Sequence, residues 1–74
     1  MMLMKNSEGY AVQSMQEILQ DLGVFTGTVN GIYDRKTQKA VALFQEKNGL
    51  DPTGLADDET LVLIAIKSAV VKDT

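Results

Sequence analysis

The chain has 74 residues, seven Lys plus Arg against ten Asp plus Glu, and neither Cys nor His. One small domain accounts for that length, and the missing Cys and His exclude disulfides, thiolate metal sites and the commonest general base at neutral pH. A formal net charge of −3 argues against nucleic acid and anionic membrane surfaces as partners, since both select basic proteins.

Residues 1–5 are too short and too poor in basic residues for a signal peptide, and residues 1–7 read as an N-terminal extension. A first helix is expected over about residues 8–22, where Val12, Met15, Ile18, Leu19 and Leu22 recur at steps of three and four and share a face. Asn6 or Ser7 is placed to cap it, and Gly23 to end it. Residues 24–33 form a structured loop with a tight turn at Asn30-Gly31, or a short ribbon if that pair joins Thr28-Val29 to Ile32-Tyr33. Asp34 then caps a second helix over about 35–47, with Thr37, Ala40, Val41, Phe44 and Asn48 inward and Gly49 at its end. A turn-rich loop follows at 50–55. Asp57 caps a third helix over about 58–68, with Leu61, Ile64 and Ala65 inward, and residues 69–74 make a frayed tail. No apolar run approaches the ~18 residues of a membrane span. The expected fold is all-α, a compact three-helix domain over residues 8–68 with Gly-rich connecting loops.

Two pseudo-repeated units overlie one another. Val12-x-x-Met15-Gln16 matches Val41-x-x-Phe44-Gln45, Gly23 matches Gly49, and Gly31-x-x-Asp34-x-x-Thr37 matches Gly54-x-x-Asp57-x-x-Thr60. Gly permits a positive φ or a close approach. Asp accepts from free amides at a helix start, a cap worth roughly 0.5–2 kcal/mol. Thr three residues on can bond back to the backbone of the cap residue. Gln16 and Gln45 lie at the edges of apolar faces and need partners for their amides. Tying the glycine loops to the helices is one reading of them, and contact with a ligand is the other.

Taken in order, these residues resemble a known family. The strings Gly9-x-x-Val12-x-x-Met15-Gln16-x-x-Leu19-x-x-Leu22-Gly23, Gly27-x-Val29-Asn30-Gly31-Ile32-Tyr33-Asp34-x-x-Thr37-x-x-Ala40-Val41-x-x-Phe44-Gln45 and Gly49-Leu50-x-x-x-Gly54-x-x-Asp57-x-x-Thr60 are similar to the peptidoglycan-binding modules of bacterial and phage cell-wall hydrolases. The resemblance covers about residues 9–64. It implies a non-catalytic module that anchors a hydrolase to murein, outside the cell or in the wall, with glycan strand or stem peptide as the partner. A similar domain occurs in matrix metalloproteinase propeptides, but those carry a cysteine switch and this chain has no Cys. It departs from the family at Asn30, often Asp, and at Asp34, often Gly.

A wall ligand needs an apolar or aromatic floor with a few fixed polar groups. The loop after the first helix is the candidate, since loops on a rigid scaffold carry recognition. The expected contact residues are Phe25, Asn30, Gly31, Tyr33, Thr37 and Gln38. Tyr33 can stack on the ligand or pin the loop from within, and Asn30 can meet a ligand carbonyl or simply hold the turn. No catalytic residue, metal site or cofactor is expected. Asp57-Asp58-Glu59 suits the first turn of a helix, no window has calcium-loop spacing, and the remaining carboxylates fall at caps or exposed faces. The competing function is a protein-interaction or assembly domain of the same fold that has lost wall binding. It would use the unbroken apolar run Leu61-Val62-Leu63-Ile64-Ala65-Ile66, with Leu63 and Ile66 pointing outward.

Overall fold

The structure, a computed structural model, describes residues 2–72, the last two by backbone alone. Three helices make up the fold: α1 (Tyr10–Asp21), α2 (Arg35–Lys47) and α3 (Asp58–Lys72). The helix α1 packs on both others. Its Val12, Met15 and Leu19 meet Ala40, Val41 and Phe44 of α2 and Ile64 of α3 in one core, with Ile18, Leu22, Val24, Val29, Leu61 and Leu63 half-buried around it. The second helix has the bounds its caps dictate. The Asp34 carboxylate accepts from the Thr37 amide, and the chain leaves the helix at Asn48, whose side-chain amide donates back to the Phe44 carbonyl.

The first seven residues are more than an extension. Leu3 is buried in the core and exchanges two backbone hydrogen bonds with Ala56, of 2.9 and 2.8 Å. Farther along, the Tyr33 amide donates to Ser7, the Asn6 amide to Tyr33 and the Gly9 amide to Gly31, each at 2.9 Å. These contacts form two antiparallel bridges, Leu3 with Ala56 and Glu8 with Ile32. They satisfy backbone groups that the corners before α2 and α3 leave unpaired, as buried amides and carbonyls require. The same pairing rules out a hairpin at Asn30-Gly31, because Ile32 pairs with Glu8 and not with the loop's own first arm.

It also moves the start of α1. Asn6 sits at φ 79° in a tight turn where Ser7 Oγ accepts from the Met4 amide, so neither residue caps the helix. Gly9 occupies the cap position, without a side-chain bond, and α1 begins at Tyr10.

The third helix runs to Lys72, past the expected end at residue 68, so 69–72 are helical and not a frayed tail. Residues 73 and 74 of that expected tail lie outside the described residues. Its inward side is Thr60 and Ile64. Ala65, expected inward, is exposed, and Leu63, expected outward, packs half-buried against the core. Ile66 does face solvent, together with Val62 and Val70.

Candidate functional site

Each turn before α2 and α3 is held by one buried glutamine. Gln16 Oε1 accepts from the amides of Asn30 (3.0 Å) and Gly31 (2.9 Å), and its Nε2 donates to the Ile32 carbonyl and the Thr37 hydroxyl, both at 2.9 Å. Gln45 repeats this at the second turn. Its Oε1 accepts from the Gly54 amide (2.9 Å), and its Nε2 donates to the Leu55 carbonyl (2.9 Å) and the Thr60 hydroxyl (3.0 Å). A short polar side chain completes each turn: Asn30 Oδ1 accepts from the Ile32 amide and Thr53 Oγ1 from the Leu55 amide. Both glutamines are essentially inaccessible to solvent. Their amides are consumed by the scaffold, which decides between the two roles open to them.

The threonines act differently from a capping box. The Thr37 hydroxyl donates to the Asp34 carboxylate (2.9 Å) while accepting from Gln16, so the cap's side chain, not its backbone, receives the bond. The Thr37 amide above all, helped by its hydroxyl, holds the Asp34 carboxyl below the usual carboxylate range against the opposing cost of desolvation. The side chain and amide of Thr60 do the same for Asp57. Both aspartates are therefore held as anions suited to capping, with a net shift away from a proton-donating role.

Gly31 and Gly54 are the turn residues for which no other side chain would serve. Their φ values are +76° and +78°, and a Cβ on Gly54 would stand 2.8 Å from Gln38 Cγ. Gly54→Ala is expected to lower stability by about 1–3 kcal/mol through left-handed strain and this contact. Gly49→Ala, with the same sign of φ but open space around it, should cost less. Paired urea melts measure the difference.

These bonds place the six expected contact residues. Gly31 and Thr37 surround Gln16 and are buried. Tyr33 is fully buried, and its hydroxyl crosses the core to donate to the Gly54 carbonyl, linking the two turns. Burial pushes that hydroxyl up to about 12. Phe25 is 3% exposed, with its ring over Gly27. A buried ring cannot stack on a ligand, so Phe25, Gly31, Tyr33 and Thr37 build the scaffold and do not form a contact surface. Asn30 remains exposed at the first turn, whereas Gln38 lies half-buried against Gly54 at the second. Of the six, only Asn30 is exposed and Gln38 partly so.

A concave feature lies elsewhere. An open cleft of about 200 Å³ is lined by Leu22 and Val24 after α1, Phe44, Lys47 and Asn48 at the end of α2, and Lys67 of α3. Sequence reading passed over it because its walls come from three distant segments. The nearest local signal is the pair of glycines after α1 and α2, Gly23 and Gly49, which adjoin lining residues in sequence. Among the described residues no three side chains of metal-ligating type come together, and no helix is long and apolar enough to cross a membrane.

The arrangement is that of a small rigid binding scaffold, its buried polar groups committed to holding two turns. The family model for the peptidoglycan binding domain matches residues 8–64, and the chain belongs to that family. It is similar to the N-acetylmuramoyl-L-alanine amidase CwlM of Mycobacterium tuberculosis, at 40% identity over 53 residues that make up 72% of this chain and 13% of that protein. It is also similar to the localization factor PodJL of Caulobacter vibrioides, at 35% identity over 51 residues, 69% of this chain and 5% of that protein. The chain thus spans only a small part of the length of these curated relatives. Among solved structures, the SleB N-terminal domain superposes with a TM-score of 0.89 at 31% identity, covering 92% of this chain and 93% of that one. The Burkholderia AP3 phage endolysin gives a TM-score of 0.81 at 28% identity over 86% of this chain and 24% of that one.

Proposed function

We propose that the chain is a wall anchor: it binds peptidoglycan without cutting it and holds a larger wall-directed protein on murein, outside the cell or within the wall. The observation that carries this reading is the family match across residues 8–64. An amidase and a phage endolysin among the similar proteins support it, because each is named for an enzyme of wall cleavage and this chain matches only a minor part of each. Catalysis within residues 2–72 has no support from the geometry. The two carboxylates with shifted acidity are both helix caps bonded to threonine.

The expected result is co-sedimentation with purified, protein-free sacculi and no release of soluble muropeptides. A chain that stays in the supernatant at high micromolar concentration would overturn the proposal. It would favour the second reading, an assembly domain. That reading has two supports: similarity to a localization factor, and a stripe on α3 at four-residue spacing, where Val62, Ile66 and Val70 are each more than half exposed.

A further inference from the structure

The cleft at the helix ends combines three features that the turns lack. Its floor is apolar, from Leu22, Val24 and Phe44. Two lysines line it, Lys47 from α2 and Lys67 from α3, in a chain whose formal net charge is −3. Neither lysine is engaged by a carboxylate among the described residues. Lys47 in the last turn of α2 has a local role, since cations favour the negative end of a helix. Lys67 lies in the body of α3, five residues before its end, so the helix-end argument does not cover it. A concave site with an apolar floor and a few convergent polar groups is the usual form of a ligand site. Lysines beside that floor select a carboxylate.

Resting on the wall-binding reading, we infer that this cleft, and not the loop after α1, is the peptidoglycan contact. It takes a carboxylate that carries a methyl group beside it, the anion against Lys47 and Lys67 and the methyl on Leu22, Val24 and Phe44. In peptidoglycan two groups have that chemistry: the free carboxylates of an alanine-rich stem peptide, and the lactyl carboxylate left on a glycan strand stripped of its peptides. The N-acetyl and hydroxyl groups of the sugar rings are neutral and offer the lysines no opposite charge. The α1 and α2 ends that wall the cleft are fixed by the core packing of Leu19 and Phe44, so the site is formed before ligand arrives.

Amide NMR titration of the labelled chain tests this, with three soluble probes: a muropeptide with free stem carboxylates, the same muropeptide with those carboxylates amidated, and a peptide-free glycan fragment bearing lactyl carboxylates. The free-acid muropeptide is expected to shift residues 22–24, 47–48 and 67. Amidation should weaken binding roughly tenfold, as the loss of a charge-assisted contact implies. Binding by the lactyl glycan at the same residues would name that source, and binding by the muropeptide alone would name the stem peptide. Either result supports the cleft. The double variant Lys47→Gln/Lys67→Gln should lose most binding to sacculi freed of teichoic acid, while its urea midpoint stays close to that of the parent chain. Shifts confined to the turns, equal binding of amidated and free-acid muropeptides with no binding of the lactyl glycan, or full pelleting of the double variant would each overturn the inference. Wild-type pelleting alongside an indifferent double variant leaves the wall-binding reading intact and removes only the cleft. Failure of the wild type to bind any probe or sacculus removes both.

Discussion

Gln16→Leu is expected to destabilise the chain by about 3–5 kcal/mol, out of the roughly 4–11 kcal/mol that a domain of this length has in total. The leucine fills similar space and is intrinsically comfortable in a helix, so neither a cavity nor poor propensity accounts for the loss. What it removes is the acceptor for the Asn30 and Gly31 amides and the donor to Ile32 and Thr37. Each buried group left unpaired costs about 1–3 kcal/mol, and water does not reach the Gly31 amide easily because Gly31 is buried beneath Gly9 and Gln13. Gln16→Glu separates the two halves of the amide. An ionised glutamate keeps the acceptor and loses the donor, while presenting a buried charge to the Ile32 carbonyl. Its folded-state acidity is then weakened, so the variant should recover stability as pH falls from 7 towards 5, when the neutral acid can donate again. Urea denaturation at both pH values checks this. A Gln16→Leu chain within about 1 kcal/mol of the parent would mean that the first turn is held by its pairing with residues 6–9 and not by Gln16.

Those two glutamines were visible in the sequence because a polar residue at the edge of an apolar helical face has to find partners, and a glycine loop is the nearest supply. The bounds of α2 were visible for a comparable reason: Asp34 and Gly49 are strong local stop signals around an unbroken three–four period. The third helix was legible as a helix but not in its orientation. From Leu61 to Ile66 every residue is apolar, so no periodicity selects a face. The structure selects Thr60 and Ile64, and Gln45 supplies part of the reason by drawing Thr60 Oγ1 to within 3.0 Å. The pairing of residues 3–9 with both turns left no trace, since main-chain bonds do not depend on which side chains accompany them. The burial of Phe25 and Tyr33 was not legible for a related reason. They sit in an aperiodic loop, where an aromatic facing solvent and one filling the core look alike in sequence, and only the burial of the ring decides. The cleft needs Leu22, Phe44 and Lys67 side by side, a juxtaposition created by packing the helix ends together.

Tyr33 carries the second large effect. Its ring is fully buried and its hydroxyl donates to the Gly54 carbonyl, so one side chain fixes the distance between the two turns. At the corresponding place in the second turn the residue is Ala56, also fully buried, which leaves room for what Tyr33 brings across. Tyr33→Ala should cost about 3–5 kcal/mol, as large aromatic truncations do, and leave little folded protein. Tyr33→Phe keeps the ring and should cost about 1–2 kcal/mol for the Gly54 carbonyl left without its donor. The phenylalanine variant also exposes a pH effect with a definite sign. Burial raises the Tyr33 hydroxyl to about 12 in the folded chain, whereas an unfolded tyrosine ionises near ~10. Between those values the unfolded chain has given up a proton that the folded chain keeps, so stability falls as pH rises. The contribution is whole below pH ~10 and roughly 2–3 kcal/mol smaller by pH ~12. Urea midpoints taken across that interval should drop for the parent chain and stay nearly level for Tyr33→Phe, once the common contribution of the lysines is subtracted by comparing the two curves. Parallel curves would show that the hydroxyl ionises equally well in both states, and that Tyr33 is not sealed between the turns.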